Sequence, residues 1–206
     1  ERSLSHFPDH GRRAEERGET TGESSAKWVI DPLDGTTNYA HQYPCYCVSI
    51  ACEVNEEVLV GVVFDPVSGE CFSAIKGRGA FLNGAPISTS VESGLEESLL
   101  VTGFSYGTET IKRNLELFNT MMLRCRSVRR DGSAALDLCY VACGRFDGFW
   151  EFNLYPWDVA AGSLIVTEAG GMFSRLDGSA ASIYDRECLA TNGKIHDTLG
   201  KILEKS

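Results

Sequence analysis

The first 27 residues carry little periodic hydrophobicity; Glu, Arg, Gly, Ser and Thr dominate them, which predicts a mobile loop at this end. From Trp28 the pattern changes to short apolar runs bounded by turn residues: WVI at 28–30, CYCVSIAC at 45–52 and VLVGVVF at 58–64, each predicted as a strand. Asn83-Gly84 separates AFL from API and predicts a hairpin, while Ile111, Leu115, Phe118 and Met122 recur at helical spacing within 108–122. In the second half, 98–104 reads as strand, 132–143 as an apolar helix and 145–152 as strand again. A further helix over 157–168 is closed by Gly170-Gly171, since glycine adopts the left-handed conformation that terminates helices. Two successive passages from strand to helix predict layered α/β structure with an N-terminal half, 1–97, and a C-terminal half, 98–206.

Composition narrows the chemistry. A chain of 206 residues that is 43% hydrophobic buries a sizeable core. Nineteen Lys and Arg against 29 Asp and Glu leave a net charge of −10, which opposes extended contact with nucleic acid phosphates. A small anionic substrate then needs local positive charge, and carboxylates holding a divalent metal supply it. The eight cysteines show no repeated CxxC spacing and several sit in apolar runs, so they read as buried free thiols of a reducing compartment. No run of 18 apolar residues and no basic-then-apolar leader is present, so neither a membrane span nor a signal peptide is expected. The expected location is cytoplasmic, with an organelle left open.

The stretch WVIDPLDGTTNY at 28–39 runs a strand directly into two carboxylates, Asp31 and Asp34. Pro32 fixes one backbone angle, which predicts a rigid turn presenting both. Their mutual repulsion needs a counter-charge, and a hard divalent cation with oxygen ligands at about 2.0–2.1 Å suits the pair. Gly35-Thr36-Thr37 then offers successive backbone amides that hold a phosphate if a helix starts there. The competing reading is a capped turn in which both Asp side chains only accept backbone hydrogen bonds, and DxxDG alone leaves the two level. A second acidic group, Glu151 followed by Trp157-Asp158 at a predicted helix start, shifts the weight. Asp158 taken alone reads first as a structural residue that serves the helix dipole. Together with Asp31 and Asp34 it gives a third carboxylate for two ions about 3.5–4 Å apart, the arrangement of in-line phosphoryl transfer.

At these residues the chain resembles the inositol monophosphatase family: WVIDPLDGTTNY resembles its first signature and PWDVAAGSLIVTEAGG its second. FPDHGRRAEERGE, GVVFDP, KGRGAFLNGAPI and RRDGSAALDLCYVACGRFDGFWE are similar to family segments as well. The resemblance implies an αβαβα sugar-phosphatase sandwich and a Mg²⁺ cofactor. It implies that Glu15, Asp31 and the Leu33 carbonyl hold one metal, and that Asp31, Asp34 and Asp158 hold the second. Glu15 and Thr36 would position the attacking water, and the Gly35 and Thr36 amides would take the phosphate. Glu151, Gly132, Ser133 and Ala134, with Asp158, would face the polyol.

The implied activity is Mg²⁺-dependent hydrolysis of a small polyol or sugar phosphate monoester, foremost myo-inositol monophosphate, by a lithium-sensitive homodimer. No nucleic acid or membrane partner is implied. Fructose 1,6-bisphosphate, a nucleotide phosphate or histidinol phosphate as substrate, or an idle partner-binding role, are the alternatives. An idle binder should have lost a carboxylate among Asp31, Asp34 and Asp158, and all are present.

Family members begin with two long helices that would precede Glu1, and their absence here leads to two expectations: residues 1–27 lack a packing partner, and Glu15 is displaced from the metals. Glu23 is a competing ligand by local appearance. Arg124, Arg126, Arg129 and Arg130 could form an anion patch but read first as a solvated strand edge or dimer rim, Gly77-Arg78-Gly79 reads as a turn, and the scattered histidines read as uninvolved in the chemistry.

Overall fold

The computed structural model describes residues 6–16, 18–105 and 107–204. The first sheet has eight strands: β1 (Gly11–Ala14), β2 (Gly18–Thr20), β3 (Ala26–Asp34), β4 (Cys47–Val54), β5 (Glu57–Asp65), β6 (Glu70–Ile75), β7 (Ala80–Leu82) and β8 (Ala85–Ile87). Their order is β2-β1-β3-β4-β5-β6-β7-β8, antiparallel except where β1 runs parallel to β3. The second sheet has the order β10-β9-β11-β13-β12, formed by β9 (Leu99–Thr102), β10 (Ser127–Arg129), β11 (Gly148–Phe152), β12 (Met172–Ser174) and β13 (Glu187–Thr191). The helices are α1 (Thr36–Ala40), α2 (Thr108–Met122), α3 (Ala134–Ala142), α4 (Pro156–Glu168) and α5 (His196–Leu203).

Helices α3 and α4 form the layer between the sheets, and this explains their composition. A helix covered on every side has no polar face, and α4 buries Val159 to Val166 without interruption. It comes so close to both neighbours that only glycine fits at two contacts. A Cβ on Gly61 of β5 would lie 2.8 Å from the Ala161 carbonyl, and one on Gly162 would lie 2.6 Å from Leu138 of α3. On the far face of the second sheet, Leu117 and Met121 of α2 and Leu199 and Leu203 of α5 close a second apolar cluster around Trp150. The described residues thus stack as β-α-β-α, the layered α/β architecture expected. No described helix is long and apolar enough to cross a membrane.

The predicted strands and helices from Trp28 to Glu168 are present, and α2 spans the predicted residues. Asn83 and Gly84, with φ of 51° and 80°, make the expected hairpin turn between β7 and β8. The predicted loop over 1–27 is corrected: among its described residues, β1 and β2 are strands. A short strand near a sheet edge is held by backbone pairing and needs no apolar stripe. Arg12 pairs with Trp28 of β3, Gly11 and Ala14 supply the buried positions, and Arg13 Nη2 donates to Glu19 across to β2 at 2.6 Å. Residues 1–5 and 17 of that stretch lie outside the described residues.

Candidate active site

The acidic motif is built into a strand, where the sequence predicted a turn after one. β3 continues to Asp34, and its pairing with β4 shifts register between Asp31, opposite Ser49, and Asp34, opposite Cys47. Three steps along β3 therefore match two along β4. Residues three apart on a regular strand face opposite sides; the extra residue of the bulge turns Asp31 and Asp34 to the same side. Pro32, with no N–H to pair, sits in this interruption. The Leu33 amide donates to Asp31 Oδ1 at 2.9 Å, and Thr36 Oγ1 donates to the Leu33 carbonyl at 2.9 Å. Gly35 follows at φ 86°, where a Cβ would meet the Cys45 carbonyl at 2.8 Å, so glycine is required for α1 to start at Thr36.

The second half of the site comes from the beginnings of α3 and α4. Ser133 Oγ donates to Asp34 Oδ2 at 2.6 Å, the Ala135 amide at the start of α3 donates to the same oxygen at 2.9 Å, and Cys47 Sγ approaches it at 3.8 Å. In α4, Asp158 Oδ2 accepts the Tyr155 amide at 2.8 Å. One oxygen of Asp158 caps the helix, and the side chain still reaches the cluster. Ser49 Oγ donates to the Trp157 carbonyl at 3.2 Å, and Asn38 Nδ2 donates to the carbonyls of Cys45 and Asp131, each at 2.8 Å. These bonds tie the motif to both helix starts.

One carboxylate oxygen each from Asp31, Asp34 and Asp158 lies within 4.8 Å of the others. Asp31 is 2% exposed, and its pKa is pushed up to about 8, first by burial and then by Asp34. Asp158 is raised to about 7, also by burial first and then by Asp34. Asp34 is raised as well, burial outweighing its donors Ser133, Ala135 and Cys47. Glu151 on β11 is raised to about 8 by burial and by Asp158, and Gly103 lies directly beneath its carboxylate, where any Cβ would collide. Three carboxylates this close, with no ion pair to a cation among the described residues, fit a divalent-metal centre by the chemistry of their oxygen donors.

A cavity of about 330 Å³ opens on this cluster. Glu15, Asp34, Gly132, Ala134, Glu151 and Asp158 all line it, whereas Asp31, Leu33, Gly35, Thr36 and Ser133 are not among its lining residues. Glu15 directly follows β1, its amide 3.4 Å from the Ile30 carbonyl, and its charge acts on both Asp31 and Asp158. Pairing of β1 with β3 brings Glu15 to the cavity wall, but it is not one of the three carboxylates that gather within 4.8 Å of one another. Glu23 is exposed and does not line this cavity. Ser133, expected at the polyol, turns its hydroxyl to Asp34.

Sequence reasoning missed three residues here. Asn38 stands inside the motif as the N of TTN, so its position was the available signal. Arg130 lines the cavity, whereas its arginine run was read as a strand edge or dimer rim in preference to an anion patch. Asp137 is fully buried on α3, neither carboxylate oxygen has a partner among the described residues, and burial followed by Glu151 pushes its pKa well up. Nothing in an apolar helix pattern marked it.

The remaining expectations fall into place around the site. Gly77 and Gly79 have positive φ and donate their amides to Glu168, which makes their segment a turn. His196 is a buried core histidine between Ser174 and Thr191. The eight cysteines carry no disulfide, and Cys45, Cys47, Cys139 and Cys188 are buried.

Known proteins share this sequence family and fold. The model of the inositol monophosphatase family matches residues 1–206. An inositol-1-monophosphatase of Synechocystis is 48% identical over 95% of this chain and 69% of its own length. A Nus factor SuhB of Pseudomonas aeruginosa is 44% identical over 94% of this chain and 73% of its own. The structure of inositol monophosphatase from Anabaena superposes with a TM-score of 0.93 at 46% identity, covering 98% of this chain and 81% of that one. With its whole length matched and its fold shared, this chain belongs to the inositol monophosphatase family and is a phosphatase.

Proposed function

We propose that the protein hydrolyses a small polyol or sugar phosphate monoester, myo-inositol monophosphate foremost, and that the metal it uses is Mg²⁺. One observation carries this reading: a single cavity is lined by Glu151 and by Asp34 and Asp158, which cluster with Asp31. Asp31, Asp34 and Asp158 would hold one cation, and Glu15, Asp31 and the Leu33 carbonyl a second. Bound there, Mg²⁺ supplies neutralisation of the phosphate charge and a lowered pKa of nearby water.

The residues then divide the remaining work. Glu15 accepts the proton of the attacking water and Thr36 Oγ1 orients it, while the Gly35 and Thr36 amides face the phosphate. The water oxygen forms the new bond to phosphorus, the bond from phosphorus to the polyol oxygen breaks, and solvent protonates the departing alkoxide. Glu151 accepts hydrogen bonds from polyol hydroxyls, with the Gly132–Ala134 backbone beside it. Asp158, joining the cluster to the start of α4, couples the ring's position to the metals. Lithium inhibition and a homodimer belong to this proposal through the family resemblance. The fold alone does not choose the substrate.

Phosphate release measured over a panel of inositol, sugar, nucleotide and histidinol phosphates with Mg²⁺, then with EDTA, tests it. Fastest release from inositol monophosphate, abolished by EDTA, is expected. Release unaffected by EDTA overturns the metal assignment, and preference for a nucleotide or histidinol phosphate overturns the substrate.

A further inference from the structure

Glu151 lines the site cavity, yet none of the described residues donates a hydrogen bond to its carboxylate. Its aim therefore depends on the strand that carries it and on Gly103, which it rests against so closely that a Cβ there would collide. Strands β9 and β11 run parallel with Trp150 opposite Thr102, and their pairing ends at that position, one residue short of Glu151 and Gly103. Backbone pairing between these strands thus stops just before the two residues that meet in the cavity wall.

A side chain from α2 takes over there. Asn114 is 1% exposed and shares a helix face with Leu117 and Met121, where an apolar residue would suit the surrounding cluster. A buried amide lowers stability unless its polar atoms find partners, and asparagine is a poor residue for a helix interior. Here they are all used: Nδ2 donates to the Gly103 carbonyl at 2.6 Å and to Thr102 Oγ1 at 3.2 Å, while Oδ1 accepts Trp150 Nε1 at 2.7 Å. Thr102 Oγ1 in turn donates to the Trp150 carbonyl at 2.7 Å. One turn earlier on α2, Thr110 Oγ1 accepts Asn153 Nδ2 at 2.9 Å. Helix α2 thus holds β11 on both sides of Glu151 and holds β9 at the residue beneath it.

We infer that Asn114 is a positioning residue: by fixing Gly103 and Trp150 it aims the Glu151 carboxylate at the hydroxyl groups of the substrate. The inference rests on the reading of Glu151 as the polyol-binding carboxylate. It assigns the specificity of the site in part to α2, a helix on the far side of the second sheet.

Steady-state kinetics with Mg²⁺ on myo-inositol monophosphate and on p-nitrophenyl phosphate, whose leaving group has no hydroxyl for Glu151 to accept, test it. Asn114→Leu removes all three bonds, and Thr102→Val removes one link of the same network while keeping the shape of the strand residue. Each should raise KM for inositol monophosphate, by about 10-fold for Asn114→Leu, the size of one charge-assisted hydrogen bond, with kcat within about 3-fold of wild type. Turnover of p-nitrophenyl phosphate should change by less than about 3-fold in both. Glu151→Ala should lose at least as much on inositol monophosphate, and adding Asn114→Leu to it should cost less than about 2-fold more, because the two act through one group. This cycle is read on inositol monophosphate alone, so it decides even where p-nitrophenyl phosphate is turned over too slowly to measure. Should Asn114→Leu fail to fold, Thr102→Val carries the same comparison and the same cycle. Equal losses on both esters, additive losses in the double variant, or no loss in either single variant while Glu151→Ala is impaired would make the network merely structural and overturn the inference alone. Glu151→Ala without effect, or no phosphate release from inositol monophosphate at all, overturns the polyol reading and the inference with it.

Discussion

Asp34 receives Ser133, Ala135 and Cys47 on one oxygen and still shares a cluster with Asp31 and Asp158. Asp34→Asn keeps the shape and an acceptor oxygen for Ser133 and Ala135 but removes the charge. Turnover should fall about 100-fold or more, as for loss of a group that orders a metal. Melting without metal should be unchanged or higher, because a buried repulsive charge is gone. Turnover comparable to wild type would refute the ligand role. At this scale the sequence was most informative where chemistry is concentrated in unusual spacing: Asp31, Asp34, Glu151 and Asp158 were legible from the residues, and Glu15 only through the family resemblance. Arg130 and Asp137 were not, because an arginine in a basic run and an aspartate in an apolar helix differ from their neighbours only in what the fold places beside them.

The elements show a related division. Strands with apolar runs and helices with a clear period were legible, whereas β1 and β2 were not, since pairing of β1 with β3 and of β2 with β1, rather than composition, makes them strands. The bulge at Pro32 was also hidden, because register exists only between two strands and a single sequence shows one. Contact between layers is where a small change at element scale should be felt most. In Gly61→Ala the new methyl would lie 2.8 Å from the Ala161 carbonyl and 3.0 Å from its Cα, both backbone atoms of α4. Separating β5 from α4 to admit it should cost about 1–3 kcal/mol, the usual penalty of overpacking. Urea unfolding would show this as a lower midpoint with an unchanged slope; an unchanged midpoint would mean that the layers yield freely.

At the scale of the whole molecule, the acidic site links stability to pH and metal together. Asp31 and Glu151 are raised to about 8 and Asp158 to about 7, all chiefly by burial. In the unfolded chain such carboxyls ionise near their ordinary values of 3.8 for Asp and 4.5 for Glu. Between those values and the folded ones the native state binds more protons than the unfolded chain, so metal-free stability falls as pH rises and levels off above the folded pKa values. His196 acts in the opposite direction: burial lowers it from 6.5, so it gains stability only while pH climbs towards that value. The carboxylate effect is therefore cleanest from pH 6.5 upward.

Mg²⁺ favours the ionised cluster and binds the folded state, so it should raise the melting temperature by mass action, and more at higher pH as protons cease to compete. Melting curves from pH 6.5 to 9 in EDTA should decline towards pH 8, those in Mg²⁺ should be flatter, and the gap between them should widen with pH. Asp31→Asn should flatten the EDTA series and shrink the gap. A Mg²⁺ shift of the same size at every pH, or metal-free melting that rises over this range, would mean that these carboxyls do not couple folding to the metal.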